Sequence, residues 1–208
     1  MTRLLIATTN PAKLSEYRIL LRAMELDIEP VSLADVAINE APEETGETFR
    51  DNALLKARFY FARSNLPTLA DDGGLEVDAL GGAPGISSHR WLGDSNPTDR
   101  ALAEEVIRRM EGVEKPQRTA RIRAALALRY KDGASMRESV AEDSIEGIIA
   151  PRAYPEIRTG FPYRAVLWLP ERSCYLGELG EEEEARVSQR RKALNQLRSE
   201  LQQLASRG

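Results

Sequence analysis

Residues 66 to 82 read LPTLADDGGLEVDALGG. The short apolar run Leu66 to Leu69 leads into two adjacent carboxylates, Asp71 and Asp72. Gly73 and Gly74 follow, then a half-buried alternation, then Gly81 and Gly82. The pattern reads as a strand ending in acids, followed by a turn that glycine makes without steric cost. Neighbouring carboxylates repel each other, so a chain that holds both in one place keeps a cation or a basic group near them. The stretch is therefore expected to be a magnesium and phosphate site.

Upstream, Leu4 to Thr8 reads as a buried strand. It delivers the chain to TTNPAKLSEYRILLRAM, where Pro11 suits a first helical turn and Thr9 or Asn10 can cap it. Leu14, Tyr17, Leu20, Leu21 and Met24 recur at helical spacing. Free backbone N–H groups and the dipole at such a helix start favour an anion, and Lys13 adds a positive charge. A second strand is expected at Ile28 to Leu33. An acidic connection ends in APEETGETF, with Glu43 and Glu44 just before Thr45 and Gly46. A helix over Thr48 to Arg63 puts Phe49, Ala53, Leu54, Ala57, Phe61 and Ala62 on one side. Asn52, Lys56 and Arg63 share another side, which matters if that side overlooks the acids.

Downstream, GGAPGISSHRWLG is irregular, and Ser87, Ser88, His89 and Arg90 are candidates to line a pocket. A helix is expected over Thr98 to Glu111. Two long strands, Thr119 to Tyr130 and Met136 to Ala150, flank the turn KDGAS. In the first of them Ala120, Ile122 and Ala124 alternate with arginines. A third strand is expected at Ala165 to Leu169 and a short fourth at Arg172 to Leu176. One long helix over Glu181 to Ala205 closes the chain, its apolar stripe being Val187, Leu194, Leu197, Leu201 and Leu204. The residues alone thus indicate strand–helix alternation followed by a hairpin region.

The 208 residues suffice for one large domain, or one domain with a small lobe. A formal net charge of -4 argues against broad nucleic-acid binding. No apolar run reaches the length of a membrane span, and the first ten residues do not form a signal peptide. A cytoplasmic protein without a membrane or nucleic-acid polymer partner is expected. Cys174 is the single cysteine, so no internal disulfide forms, and one cysteine with one histidine makes a zinc site uncommon.

TTNPAK at 8–13, EETGETFRDNALLKA at 43–57, ADDGGLEVDALGGAPGISSHR at 70–90 and SQRRKAL at 188–194 stand in an order and spacing that resemble the inosine triphosphate pyrophosphatase family. These enzymes hydrolyse deaminated purine nucleoside triphosphates to monophosphate and pyrophosphate. The resemblance covers nearly the whole chain. It implies an α/β protein with a long curved mixed sheet flanked by helices, two lobes around a central cleft with boundaries near residues 115 and 180, and a homodimer. It places Thr8, Asn10 and Lys13 on the triphosphate, with Thr9, Asn52 and Gly73 beside them. Glu43 and Asp72 would hold magnesium, with Asp71 as a further candidate ligand. Asp72 would also activate water, and Lys56 resembles the family's second phosphate lysine. Such a set combines positioning with charge neutralisation, the two needs of phosphoryl transfer.

The base-reading half departs from the family pattern. Residues 161–170 read FPYRAVLWLP, so Phe161 and Tyr163 keep an aromatic wall. Arg164 stands where the family has aspartate, Pro162 and Gly73 where it has glycine and serine. Gln189 and Arg190 follow Ser188 where the family reads SHR. An upstream family lysine falls on Glu183 or Glu184. Aspartate accepts hydrogen bonds whereas arginine only donates, so the edge offered to the base is inverted. The expectation is a surviving hydrolytic centre with an altered or relaxed base preference. The alternative is a homologue that binds a nucleotide or a partner protein without turnover.

Overall fold

In the computed structural model, which describes residues 1–88, 91–93 and 97–206, the apolar run of residues 4–7 is buried on both faces of a central strand. His89 and Arg90 lie outside the described residues. The first strand, β1 (Thr2–Ala7), runs parallel to β2 (Ile28–Val31) on one side and β3 (Thr68–Val77) on the other. Between them come α1 (Pro11–Ala23) and α2 (Phe49–Ser64). Strands covered on both faces read as continuous hydrophobic runs, and β1 does so. Next come α3 (Asp99–Arg109) and the long strands β4 (Thr119–Asp132) and β5 (Ser135–Ile149). The short strands β6 (Leu167–Leu169) and β7 (Cys174–Tyr175) follow, β6 lying antiparallel to β5 and to β7. The chain closes with α4 (Glu181–Val187), α5 (Gln189–Gln196) and α6 (Arg198–Ala205). Among the described residues this is an α/β fold with six α-helices and one open, mixed, seven-stranded sheet in the order β2-β1-β3-β4-β5-β6-β7.

The chain divides into two compact units, each with its own core. The first comprises Met1–Asp72, Ala124–Asp143 and Arg190–Gly208. Its core joins Leu4, Ile6, Tyr17 and Leu20 to Leu126, Leu128, Leu194 and Leu201. The second comprises Gly73–Arg123 and Ser144–Gln189, with Leu75, Val77, Leu102, Val106, Ile149 and Val166 inside it. The junctions between these units fall within β3, β4 and β5 and at the start of α5.

Three local expectations are corrected. β3 does not end at its acids but continues through Gly73 and Gly74 to Val77. Leu75 and Val77 are fully buried in the second core, and that burial draws the glycines into extended backbone instead of a turn. The long C-terminal helix is three short ones. Ser188 leaves helical geometry at ψ 122, and Leu197 stands between α5 and α6 at ψ 10. The apolar stripe divides accordingly: Val187 packs on the second core, while Leu194, Leu197, Leu201 and Leu204 belong to the first. In β4 the alternation holds only over residues 119–123. Residues 124–128 are all buried, as a strand covered on both faces requires.

Backbone closeness in the second unit gives a stability test. A Cβ added at Gly147 would lie 2.5 Å from the carbonyl oxygen of Trp168 on β6, whereas one at Gly180 would meet nothing within 4 Å. Gly147→Ala is expected to destabilise by about 1–3 kcal/mol through overpacking. Gly180→Ala meets no such clash and should cost only the N-cap preference for glycine over alanine, roughly 0.5–1 kcal/mol. Urea denaturation of the two variants checks the contrast.

Candidate functional site

The start of α1 is built by Asn10, not Thr9. The Asn10 Oδ1 accepts hydrogen bonds from the N–H groups of Ala12 (2.9 Å) and Lys13 (3.2 Å). The Asn10 N–H itself donates to Thr8 Oγ1 at 3.1 Å, and the Leu14 N–H donates to the Asn10 carbonyl. Pro11 has no N–H to offer. The expectation of free N–H groups for an anion is thus corrected, because the cap consumes them. What remains at this helix end is the dipole and the Lys13 ammonium. Thr9 is exposed.

Asp71 and Asp72 are consecutive on β3, so their side chains leave opposite faces of the strand. Each finds its own lysine. Lys13 Nζ donates to Asp71 Oδ1 at 2.9 Å. Lys56 Nζ, from α2, donates to Asp72 Oδ1 at 2.7 Å. The repulsion expected between the two acids is relieved by separation and by these separate cations.

Asp71 is the more deeply engaged. Its Oδ2 accepts from Tyr17 Oη and from Arg190 Nε, both at 2.6 Å. Arg190 is buried at the start of α5 and also donates to Glu16 at 3.3 Å. Burial alone would raise the pKa of Asp71. The Arg190 and Lys13 charges and the two Oδ2 hydrogen bonds outweigh it and hold the carboxyl far below its ordinary value. Burial pulls Lys13 below its ordinary value against Asp71, with Arg190 and Lys56 adding to the burial. With Lys13, Tyr17 and Arg190 around it, Asp71 has both oxygens committed to protein donors.

The second acid is arranged differently. Lys56 Nζ also donates to Glu44 Oε1 at 3.1 Å, so two carboxylates share one cation position. Burial opposes the charge on Lys56, but Asp72 and Glu44 together raise its pKa. Burial raises the pKa of Asp72 despite Lys56 beside it. The loop carrying Glu43 and Glu44 is pinned to α2, where the Gly46 N–H donates to Asn52 Oδ1 at 2.8 Å. A Cβ at Gly46 would stand 2.6 Å from that oxygen, so only glycine allows the approach. The buried Asn52 Nδ2 has no hydrogen-bond partner among the described residues. Among the described residues no group of three or more His, Cys, Asp or Glu is gathered for a metal. The Asp72–Glu44 pair remains a two-carboxylate position, and Glu43 adjoins it in sequence.

The other expected contacts belong to the second unit. Tyr163 is buried in its core, and its hydroxyl donates to the Ser88 carbonyl at 3.0 Å. Arg164 is buried, lies 3.7 Å over the Phe161 ring and is ion-paired with Glu184. The buried Gln189 Nε2 has no partner among the described residues. Gly73 is part of β3. Sequence reading missed Tyr17 and Glu16. Tyr17 was visible only as a member of an apolar stripe, with nothing to indicate that its hydroxyl meets an acid.

The depressed pKa of Asp71 has a definite sign for stability. A carboxyl whose folded pKa lies below its unfolded value of roughly 3.9 stabilises the fold above that value. The contribution is lost as pH falls toward the folded pKa. Asp71→Asn removes the anion that Lys13 and Arg190 share, leaving Glu16 as the carboxylate beside Arg190, and is expected to cost about 3–5 kcal/mol at pH 7. The gap from wild type should narrow as pH drops below about 4, which denaturation titrations across pH will measure.

The Ham1 family profile matches residues 4–200. A dITP/XTP pyrophosphatase of Bacillus subtilis is 36% identical over 197 residues, covering 95% of this chain and 96% of the relative. One from Thermus thermophilus is 41% identical over 197 residues, 94% of this chain and 89% of its own. The solved structure of a HAM1 protein from Coxiella burnetii superposes with a TM-score of 0.83 at 32% identity, covering 98% of this chain and all of that one. On that agreement of sequence and fold, the chain belongs to the Ham1 family.

Proposed function

We propose that this protein hydrolyses a nucleoside triphosphate carrying a deaminated purine, of the ITP, XTP or dITP kind, to the monophosphate and pyrophosphate. Such an activity cleans the nucleotide pool. The observation that carries the reading is Lys56 bridging Asp72 and Glu44, with Lys13 on the neighbouring Asp71. The dITP/XTP pyrophosphatase names of the relatives point the same way.

Magnesium fits this donor set. It takes one or two carboxylates, keeps several waters and completes its shell with substrate phosphate oxygens, so it needs no third protein ligand. Asp72 with Glu44 or its neighbour Glu43 would hold it. Asp71 is reassigned to support, since Lys13, Tyr17 and Arg190 already occupy both its oxygens. When bound, the ion neutralises phosphate charge and polarises the phosphorus.

The residues then take defined roles. Lys13, fixed by Asp71, and Lys56 offer donors to the triphosphate oxygens. Asn52 Nδ2 is a buried donor awaiting an acceptor. Asp72 orients a water for attack on the α-phosphorus and accepts its proton at the carboxylate. Pyrophosphate leaves with its charge matched by the lysines. Thr8 and Asn10 act indirectly, by building the turn that aims Lys13. Phe161, Arg164 and Gln189 serve the base.

Pyrophosphate release from ITP, dITP and XTP, with and without magnesium, is the direct test. Chelation with EDTA should abolish turnover and added magnesium restore it. Asp72→Asn should lower kcat by roughly 10²–10⁴-fold, the usual worth of a general base. Turnover that survives Asp72→Asn would remove Asp72 from the catalytic role, and wild-type protein inert toward every triphosphate would refute the hydrolase reading.

A further inference from the structure

Residues 39–46 carry no regular secondary structure, and none of them is buried. Core packing therefore does not fix the segment that bears Glu43 and Glu44. Its polar ties among the described residues are three, and all run to α2. The Gly46 N–H donates to Asn52 Oδ1 at 2.8 Å, Lys56 Nζ donates to Glu44 Oε1 at 3.1 Å, and Arg63 Nη2 donates to Glu40 Oε2 at 2.9 Å. Asn52, Lys56 and Arg63 share one side of the helix. The acid segment is thus laced antiparallel along α2, with Gly46 on Asn52, Glu44 on Lys56 and Glu40 on Arg63.

The three ties are unequal. The side chains of Arg63 and Glu40 are 37% and 71% exposed, and a surface ion pair of this kind contributes little. Lys56 also donates to Asp72, and in the function proposed above it turns to the triphosphate oxygens, so its hold on Glu44 is surrendered when substrate arrives. Asn52 is 1% exposed, which shields its bond to Gly46 from competing water. A Cβ at Gly46 would stand 2.6 Å from Asn52 Oδ1 and 2.7 Å from the Asp51 Cβ, so the segment lies as close to α2 as glycine permits. The Gly46 N–H also fixes which end of the amide is oxygen, and Nδ2 is left buried without a partner among the described residues. An orphaned buried donor costs free energy, so stability alone does not account for an amide at this position. Aspartate would accept the same bond but bring a further negative charge to the side of α2 that already meets Glu44 and Asp72.

We propose that Asn52 is the positioning residue of the acid segment: through Gly46 it keeps Glu43 and Glu44 against α2 while Lys56 leaves them for the phosphate tail of the substrate. This rests on the reading that the protein acts on nucleoside triphosphates. It adds the residue that keeps the acids in place during turnover.

Amide hydrogen exchange at Gly46, followed by NMR on the whole unaltered protein, tests it without turnover. Magnesium with inorganic tripolyphosphate is the probe. The Gly46 amide should be protected both before and after the probe raises Tm. Faster exchange at Gly46 in the bound state would overturn the proposal, and so would a probe that leaves Tm unmoved. Steady-state pyrophosphate release from ITP supplies the second arm. Asn52→Ala should raise the magnesium concentration for half-maximal rate by roughly three- to tenfold, the worth of one hydrogen bond, with kcat at saturating magnesium retained. Asn52→Asp keeps an acceptor for Gly46 and should not raise that concentration. Equal losses in the two variants, or an unchanged magnesium requirement in Asn52→Ala, would overturn the proposal. Wild type that binds the probe but releases no pyrophosphate from any triphosphate refutes the hydrolase reading alone, and the exchange at Gly46 still decides this one.

Discussion

A single buried charge organises the first unit. Asp71 is ionised in the interior of a strand, where an unpaired carboxylate would be untenable. It is kept there by Lys13 from α1, Tyr17 from α1 and Arg190 from α5. Three requirements follow from it. The N-terminal turn must cap cleanly to aim Lys13, the C-terminal segment must break at Ser188 to turn Arg190 inward, and Glu16 must share the load of Arg190.

Asp72 shows what the neighbouring position can do once that charge is settled. Strand geometry sends it to the opposite face, away from the saturated site around Asp71. There it meets Lys56 and, through that lysine, Glu44. One acid of the pair has both oxygens engaged by protein donors, and the other shares a single lysine with Glu44. A doublet of like residues thus yields two unlike environments, the arrangement by which enzymes separate the roles of adjacent carboxylates.

Much of this was legible in the sequence. Strand–helix alternation, a cap at Thr9 or Asn10 and the hairpin of β4 and β5 follow from local pattern and spacing, whereas gathering Lys13 and Lys56 with the two aspartates followed only from the family resemblance. What was not legible depended on tertiary context. Gly73 and Gly74 look like a turn until Leu75 and Val77 are seen buried beyond them. The stripe from Val187 to Leu204 looks like one helix until its members prove to serve two cores. Arg190 reads as a base contact in the motif, yet its guanidinium lies against Asp71 and Glu16. The Arg164–Glu184 pairing joins residues whose proximity no local rule predicts, although each was conspicuous alone.

The bond between Arg190 and Asp71 joins residues 119 positions apart. Contacts of such separation are slow to form, because the intervening chain must surrender its freedom first. A nascent chain emerging from the ribosome therefore carries the acid long before its arginine has been made. Until α5 is synthesised, Asp71 has only Lys13 and Tyr17 for company, and its ion pair with Lys13 stands on an unfinished foundation. Completion of this buried charge cluster is in this way tied to completion of translation.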